Sequence, residues 1–170
     1  MSAASSATAR VRIQAQDFDL SAEVAALRCG HAGIGAVCSF IGTVRDRHAA
    51  TQGVAAVEPV LAMELEHYPG MTEKAIEAMI DEALQRFDIF DVRVIHRIGL
   101  LQPMDQIVLV AVASKHRGES FAACEFLMDY LKTQAPFWKK EQTQKGAHWV
   151  DARVADDVAL ARWGISVSNL

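Results

Sequence analysis

The chain has 170 residues, of which 51% are hydrophobic and 22% charged, and its net charge is −4. That length and mixture fit one globular domain with a real core. The acidic balance argues against a broad nucleic-acid footprint, and the longest apolar runs are strand-sized, so no transmembrane helix is expected.

The opening "MSAASSATAR" lacks the apolar core of a secretory signal. Small and polar, it reads as disordered over residues 1–9, ahead of a domain at 10–163 and a tail at 164–170. "VRIQAQ" reads as a short strand. "LSAEVAALRC" reads as a helix that stops at Gly30. "AVCSFIGTV" is a buried strand, and "VLAMELEHY" is a second that alternates in its later half. Residues 46–59, "DRHAATQGVAAVEP", read as a mobile loop.

After the punctuation of Pro69-Gly70 comes a helix. Ile76, Met79, Ile80, Ala83, Leu84 and Phe87 recur at spacings of three and four, forming one apolar face. "DVRVIHRIG" and "QIVLVAVAS" are strands joined by "LLQPMD", the second apolar throughout and therefore central in its sheet. A helix starts near Gly118 with Phe121, Cys124, Leu127, Met128 and Leu131 on its buried side, and Pro136 stops it. "FWKKEQ" and "HWV" are a closing pair of strands. Strands and helices interleave without a regular βαβ period. The expected fold is therefore α+β, a single domain with a mixed or antiparallel sheet and packed helices.

The candidate chemistry sits at three element ends. At "GTVRDRH", Gly42 permits a close backbone approach and Arg45 offers a fork of donors suited to phosphate or carboxylate. At "SKHRGES", Lys115, His116 and Arg117 crowd the start of a helix. There they oppose the dipole unless an anion joins them. At "MDYLKTQAPFWKKE", Lys132, Lys139 and Lys140 surround the proline break, with Asp129 spaced to pair with Lys132. Phe137 and Trp138 are expected to wall a flat pocket, and Glu141 shares the facing of Lys139 in a regular strand. A lysine among other cations in a poorly hydrated cleft has its neutral form favoured and can act as base or nucleophile. Taken alone, each cluster is a weak signal, since solvated surface charge is the alternative reading.

Other templates are missing. There is no GxGxxG, no GxxxxGK[ST], no HExxH and no GxSxG, and the six His show no ligand spacing. His67 and His96 read as hydrogen-bonded histidines at strand ends. Cys29, Cys38 and Cys124 form no CxxC pair, so no metal cage or disulfide framework is indicated, and Cys38 and Cys124 read as core thiols.

Taken together, "GAVCSFIGTVRD", "MELEHYPGMTEKAIEAMIDEA", "VIHRIGLLQPMDQIVLVAVASKHRGESFAACEFLMDYLKTQAPFWKKE" and "HWVDAR" resemble the large, catalytic subunit of molybdopterin synthase over roughly residues 35–153. The resemblance implies an α+β fold of α/β-hammerhead type. It implies conversion of cyclic pyranopterin monophosphate into the molybdopterin dithiolene. The sulfur would come as a thiocarboxylate on the C-terminal glycine of a small ubiquitin-like partner. It further implies a homodimer within a heterotetramer, a cytoplasmic setting, and no metal or cofactor. It places the essential lysines on Lys132 and Lys139. Substrate contacts would fall on Thr43, Val44, Arg45, His116, Arg117, Lys132, Lys139, Lys140 and Glu141. A non-catalytic module binding another phosphorylated small molecule would use the same cationic groups.

Overall fold

The computed structural model describes residues 9–46, 59–150 and 154–165. The expected disorder at the N-terminus, nearly all of the 46–59 loop and most of the C-terminal tail lie outside the described residues. The elements run β1 (Val11–Gln14), α1 (Leu20–Arg28), β2 (Ala36–Thr43), β3 (Ala62–His67), α2 (Met71–Arg86), β4 (Ile89–Arg97), β5 (Gly99–Leu101), β6 (Gln106–Ser114), α3 (Arg117–Gln134), β7 (Phe137–Thr143), β8 (Gly146–Val150) and α4 (Val154–Ala161). No helix among the described residues is long and apolar enough to cross a membrane.

The α+β expectation holds, but the strands form two sheets. The first has the order β1-β4-β6-β2 and the second β5-β3-β7-β8, each of four strands. All pairings are antiparallel except β1 with β4, which is parallel. β6 lies between β4 and β2, as its unbroken apolar run requires. Val108, Val110 and Val112 face a core built with α2 and α3, while Leu109, Ala111 and Ala113 face Leu27 of α1. Two covered faces leave β6 no polar side.

The apolar stripe of α2 is buried as its spacing predicts, with Ile76, Met79, Ile80 and Ala83 inaccessible and Leu84 and Phe87 packed at the margin. In α3 the stripe is rotated from the expected one. Phe121 is 61% exposed, and the stripe is centred on Ser120, Cys124, Leu127 and Leu131. The small Ser120 and Ala123 are buried beside Cys124, whose thiol lies 3.9 Å from the Val110 carbonyl of β6. Phe126, on the opposite flank, is fully buried against Phe87, Tyr130 and Trp163.

Two features position the lower end of the molecule. The C-cap of α3, Ala135, is extended, as a residue before proline must be. The buried Thr72 hydroxyl then donates to the Pro136 carbonyl at 3.0 Å, which pins the proline corner to the start of α2. The link between β4 and β6, expected as a plain connection, contains β5, which pairs with β3 and so joins the two sheets. Val44 packs there with Met63, Leu65 and Leu101.

Candidate active site

β7 starts directly after the proline corner, and strand alternation sorts its side chains. Phe137, Lys139 and Glu141 share one face with their cross-strand partners His67, Leu65 and Met63. Leu65 and Met63 are core residues, so this is the inner face. The shared facing of Lys139 and Glu141 is therefore as the spacing indicates. Trp138 and Lys140 point to the other side. Lys140 Nζ lies 5.5 Å from the Trp149 ring centroid and opposite Glu64. Phe137 and Trp138 consequently do not wall one pocket, because adjacent strand residues project oppositely. The ring partner of Phe137 is His96 of β4, stacked at a centroid distance of 3.8 Å and an interplanar angle of 17°.

His96 is buried, and its Nδ1–H donates to the Arg97 carbonyl at 2.8 Å. Burial, first, holds this imidazole down from an ordinary 6.5 to about 4, and the positive fields of Lys139 and His67 push the same way. The folded protein therefore refuses a proton that the unfolded chain accepts. That contribution to stability is complete above pH 6.5 and is lost as the pH falls toward 4. Its full size is roughly 3 kcal/mol. Urea titrations between pH 7.5 and 4.5 should show this loss in the parent protein, and His96→Phe, which keeps the stack, should flatten it. Parallel curves for the two proteins would contradict the assignment.

Glu141 is only 2% exposed, and its Oε2 lies 3.6 Å from Nε2 of the exposed His148 on the neighbouring strand. A buried carboxylate is costly unless partnered, so this position is a built feature rather than a surface charge. Lys132 is exposed in the last turn of α3, one residue beyond the core residue Leu131. Asp129, spaced to meet Lys132, accepts at Oδ2 from the Arg162 guanidinium and the Trp163 indole N–H, at 2.6 and 2.7 Å.

The end of β2 arrives at the same end of the molecule. Val44 shares a cluster with Leu65, the cross-strand neighbour of Lys139. Thr43 and Arg45, on either side of Val44, are exposed. Val44 itself is buried, with its backbone N–H donating to Asp105 and its carbonyl accepting from Met104. Its side chain is thus part of the packing. Gly42 answers a packing need as well: a Cβ there would meet Val108 Cγ1 at 2.9 Å, next to the register shift that ends the β2–β6 ladder.

Lys115, His116 and Arg117 are exposed at the start of α3, where no side chain caps the helix. They lie at the opposite end of the first sheet. β2 and β6 are antiparallel, with Thr43 opposite Gln106 and Ala36 opposite Ser114. The eight steps from Gln106 to Ser114 span about 26 Å at strand rise. One chain therefore gathers Thr43, Arg45, Lys132, Lys139 and Glu141 at one end and places His116 and Arg117 at the other. The resemblance places Arg45, His116 and Arg117 on one substrate, yet a single chain holds them at opposite ends of the first sheet. Helix and strand ends are visible in a sequence, but which end meets which depends on pairing. Thr72, which fixes the proline corner, left no sequence signal beyond a threonine in a first helical turn. Among the described residues, no group of three or more His, Cys, Asp or Glu could hold a metal ion.

Two four-stranded sheets with packed helices make this an α+β chain, and Lys132, Lys139 and the buried Glu141 gather around its proline corner. The MoaE protein family model matches residues 13–134, and the chain belongs to that family. The molybdopterin synthase catalytic subunit of Ralstonia nicotianae is 65% identical over 159 residues, covering 94% of this chain and 86% of that one. The molybdopterin biosynthesis MoaE protein of Burkholderia ambifaria superposes with a TM-score of 0.77 at 58% identity, covering 94% of this chain and all of that one. Molybdopterin synthase from Staphylococcus aureus superposes with a TM-score of 0.74 at 29% identity, covering 85% and 98% of the two chains.

Proposed function

We infer that this chain is the catalytic subunit of a molybdopterin synthase. It binds cyclic pyranopterin monophosphate and accepts sulfur from the thiocarboxylated C-terminal glycine of a small ubiquitin-like subunit, forming the molybdopterin dithiolene. The observation that carries this reading is the convergence of Arg45, Lys132 and Lys139 at one end of a fold that belongs to the MoaE family. Both reactants are anionic, and clustered cations offset their repulsion. In this reading Lys139 meets the incoming thiocarboxylate or the carbon it attacks. Lys132 moves protons or stabilises the developing oxyanion. Glu141 lines the inner face of β7 beside Lys139, whereas Lys140, expected as a substrate contact, stands on the outer face over Trp149 and acts at the rim. Thr43 and Arg45, at and just after the end of β2, hold the substrate, and buried Val44 between them fixes their position. The reaction calls on no resident metal or cofactor, and its setting is the cytoplasm.

His116 and Arg117 enter the same reading through a second copy. A twofold dimer presents the α3 start of one chain to the Arg45 end of the other, which one chain cannot do for itself. Each dimer then holds two composite sites, with one small subunit at each, giving a heterotetramer.

Subunit mixing tests the arrangement. Arg45→Ala and Arg117→Ala each remove a charge-assisted contact worth about 1.5–3 kcal/mol, or roughly one to two orders of magnitude in pterin affinity. Refolding the two variants together makes mixed dimers in which one site has lost both arginines and the other has lost neither. Activity at low substrate should return to roughly a quarter of the parent level. No recovery on mixing, with mixed dimers confirmed, would place both arginines in sites formed by single chains.

A further inference from the structure

Two of the three cysteines meet in space. Cys38 lies on β2 opposite Val112 of β6, so its side chain projects from the sheet face that carries Val110 and Val112. That face is covered by α3, whose Cys124 thiol is directed at the Val110 carbonyl, 3.9 Å away. Cys38 packs against the same core cluster that contains Cys124, Val110 and Val112, which makes the two side chains neighbours under α3. Cys38 is half-buried, Cys124 is buried, and Cys29 stands apart, exposed, after α1.

We propose that Cys38 and Cys124 form a thiol–disulfide site that reversibly ties β2 to α3 under oxidation by a peroxide. These are the elements that lead to Thr43–Arg45 and to Lys132. The proposal is independent of the sulfur-transfer reading, since its test counts thiols and not dithiolene.

The order of events follows from access. Burial raises the Cys124 thiol to about 12, and neighbouring Cys38 adds to the rise, so Cys124 carries almost no thiolate at neutral pH. Cys38, the more accessible of the pair, reacts first. Its thiol and one hydrogen peroxide give a sulfenic acid and one water. The Cys124 sulfur then attacks the sulfenic sulfur as its proton passes to the departing oxygen, so the S–S bond forms, the S–O bond breaks and a second water leaves. Two thiols have lost two electrons and one peroxide has gained them. A dithiol reductant reverses the step.

The test uses the full chain with Cys29→Ser, or with Cys29 alkylated if that variant folds poorly. The protein is treated with hydrogen peroxide, quenched in N-ethylmaleimide under denaturing conditions, and read by intact mass and peptide mapping. The expected result is loss of both maleimide-reactive thiols and a cross-linked peptide joining the Cys38 and Cys124 segments within one chain. Dithiothreitol should restore both thiols. Cys124→Ser should instead leave a sulfenic acid at Cys38 that dimedone captures. Sulfinic acid at Cys38 with the Cys124 thiol intact would overturn the proposal, as would a cross-link only between chains or two unreacted thiols.

Discussion

Lys139→Ala is expected to lower dithiolene formation by about 10²–10⁴-fold, the range supplied by a positioned proton-transfer or charge-stabilising group. The side chain is exposed, so its removal should leave the melting temperature nearly unchanged. It stands on the inner face of β7 beside the buried Glu141, at the end where β2 delivers Arg45. Lys132→Ala should be severe for a related reason, because it comes from the other side of the proline corner. Lys140→Ala should be milder: its ammonium lies over Trp149 on the outer face of the sheet. Turnover by each variant, with small-subunit binding measured in parallel, checks the ranking. Near-normal turnover in both Lys132→Ala and Lys139→Ala, with the partner bound, would remove these lysines from the chemistry.

Phe126→Ala should cost about 3–5 kcal/mol of stability, the usual range for deleting a fully buried aromatic ring. The ring sits between α2 and the C-terminal segment. It contacts Phe87 and Trp163 at centroid distances of 5.6 and 5.5 Å, and the Arg86 guanidinium lies 5.1 Å from its centre. Emptying that position leaves Trp163 without one of its two aromatic neighbours, although the indole still donates to Asp129. Phe126→Leu should be intermediate, since it removes less volume. Urea unfolding of the three proteins measures the series. A loss below about 1 kcal/mol for Phe126→Ala would mean that the surrounding helices close over the gap.

Local chemistry made much of this architecture legible in the sequence. The three-and-four spacing of Ile76, Met79, Ile80 and Ala83 marks the buried face of α2, and the unbroken apolar run of β6 marks a strand covered on both sides. Pro136 ends α3, and the closing strand pair lies at "FWKKEQ" and "HWV" as read. What stayed hidden depends on pairing and on neighbours. β5 has three residues and is a strand only because β3 is beside it. The division into two sheets is a property of partners, not of any one segment. Phe121 and Phe126 fit helical stripes about equally well, and the small residues Ser120 and Ala123 decide between them.

The site was legible as chemistry and partly illegible as geometry. Lys132, Lys139 and Glu141 stand out because charges crowd a proline break. Arg45 and Arg117 each mark the end of a strand or the start of a helix, yet antiparallel pairing sends those ends apart. Adjacent Phe137 and Trp138 suggest one shared wall in the sequence, whereas a strand turns them to opposite faces. The shared packing of Cys38 and Cys124 was invisible for a similar reason: one residue comes from a strand, the other from a distant helix, and only the core brings them together.

The most direct measurement mixes the purified chain with the thiocarboxylated small subunit and cyclic pyranopterin monophosphate, then follows dithiolene product in single and multiple turnovers. Catalysis by this chain predicts molybdopterin formation that depends on the partner's thiocarboxylate and stops when its terminal Gly-Gly is deleted. Tight pterin binding with no conversion, by a folded chain with the partner bound, would contradict the account and leave a binding module in its place.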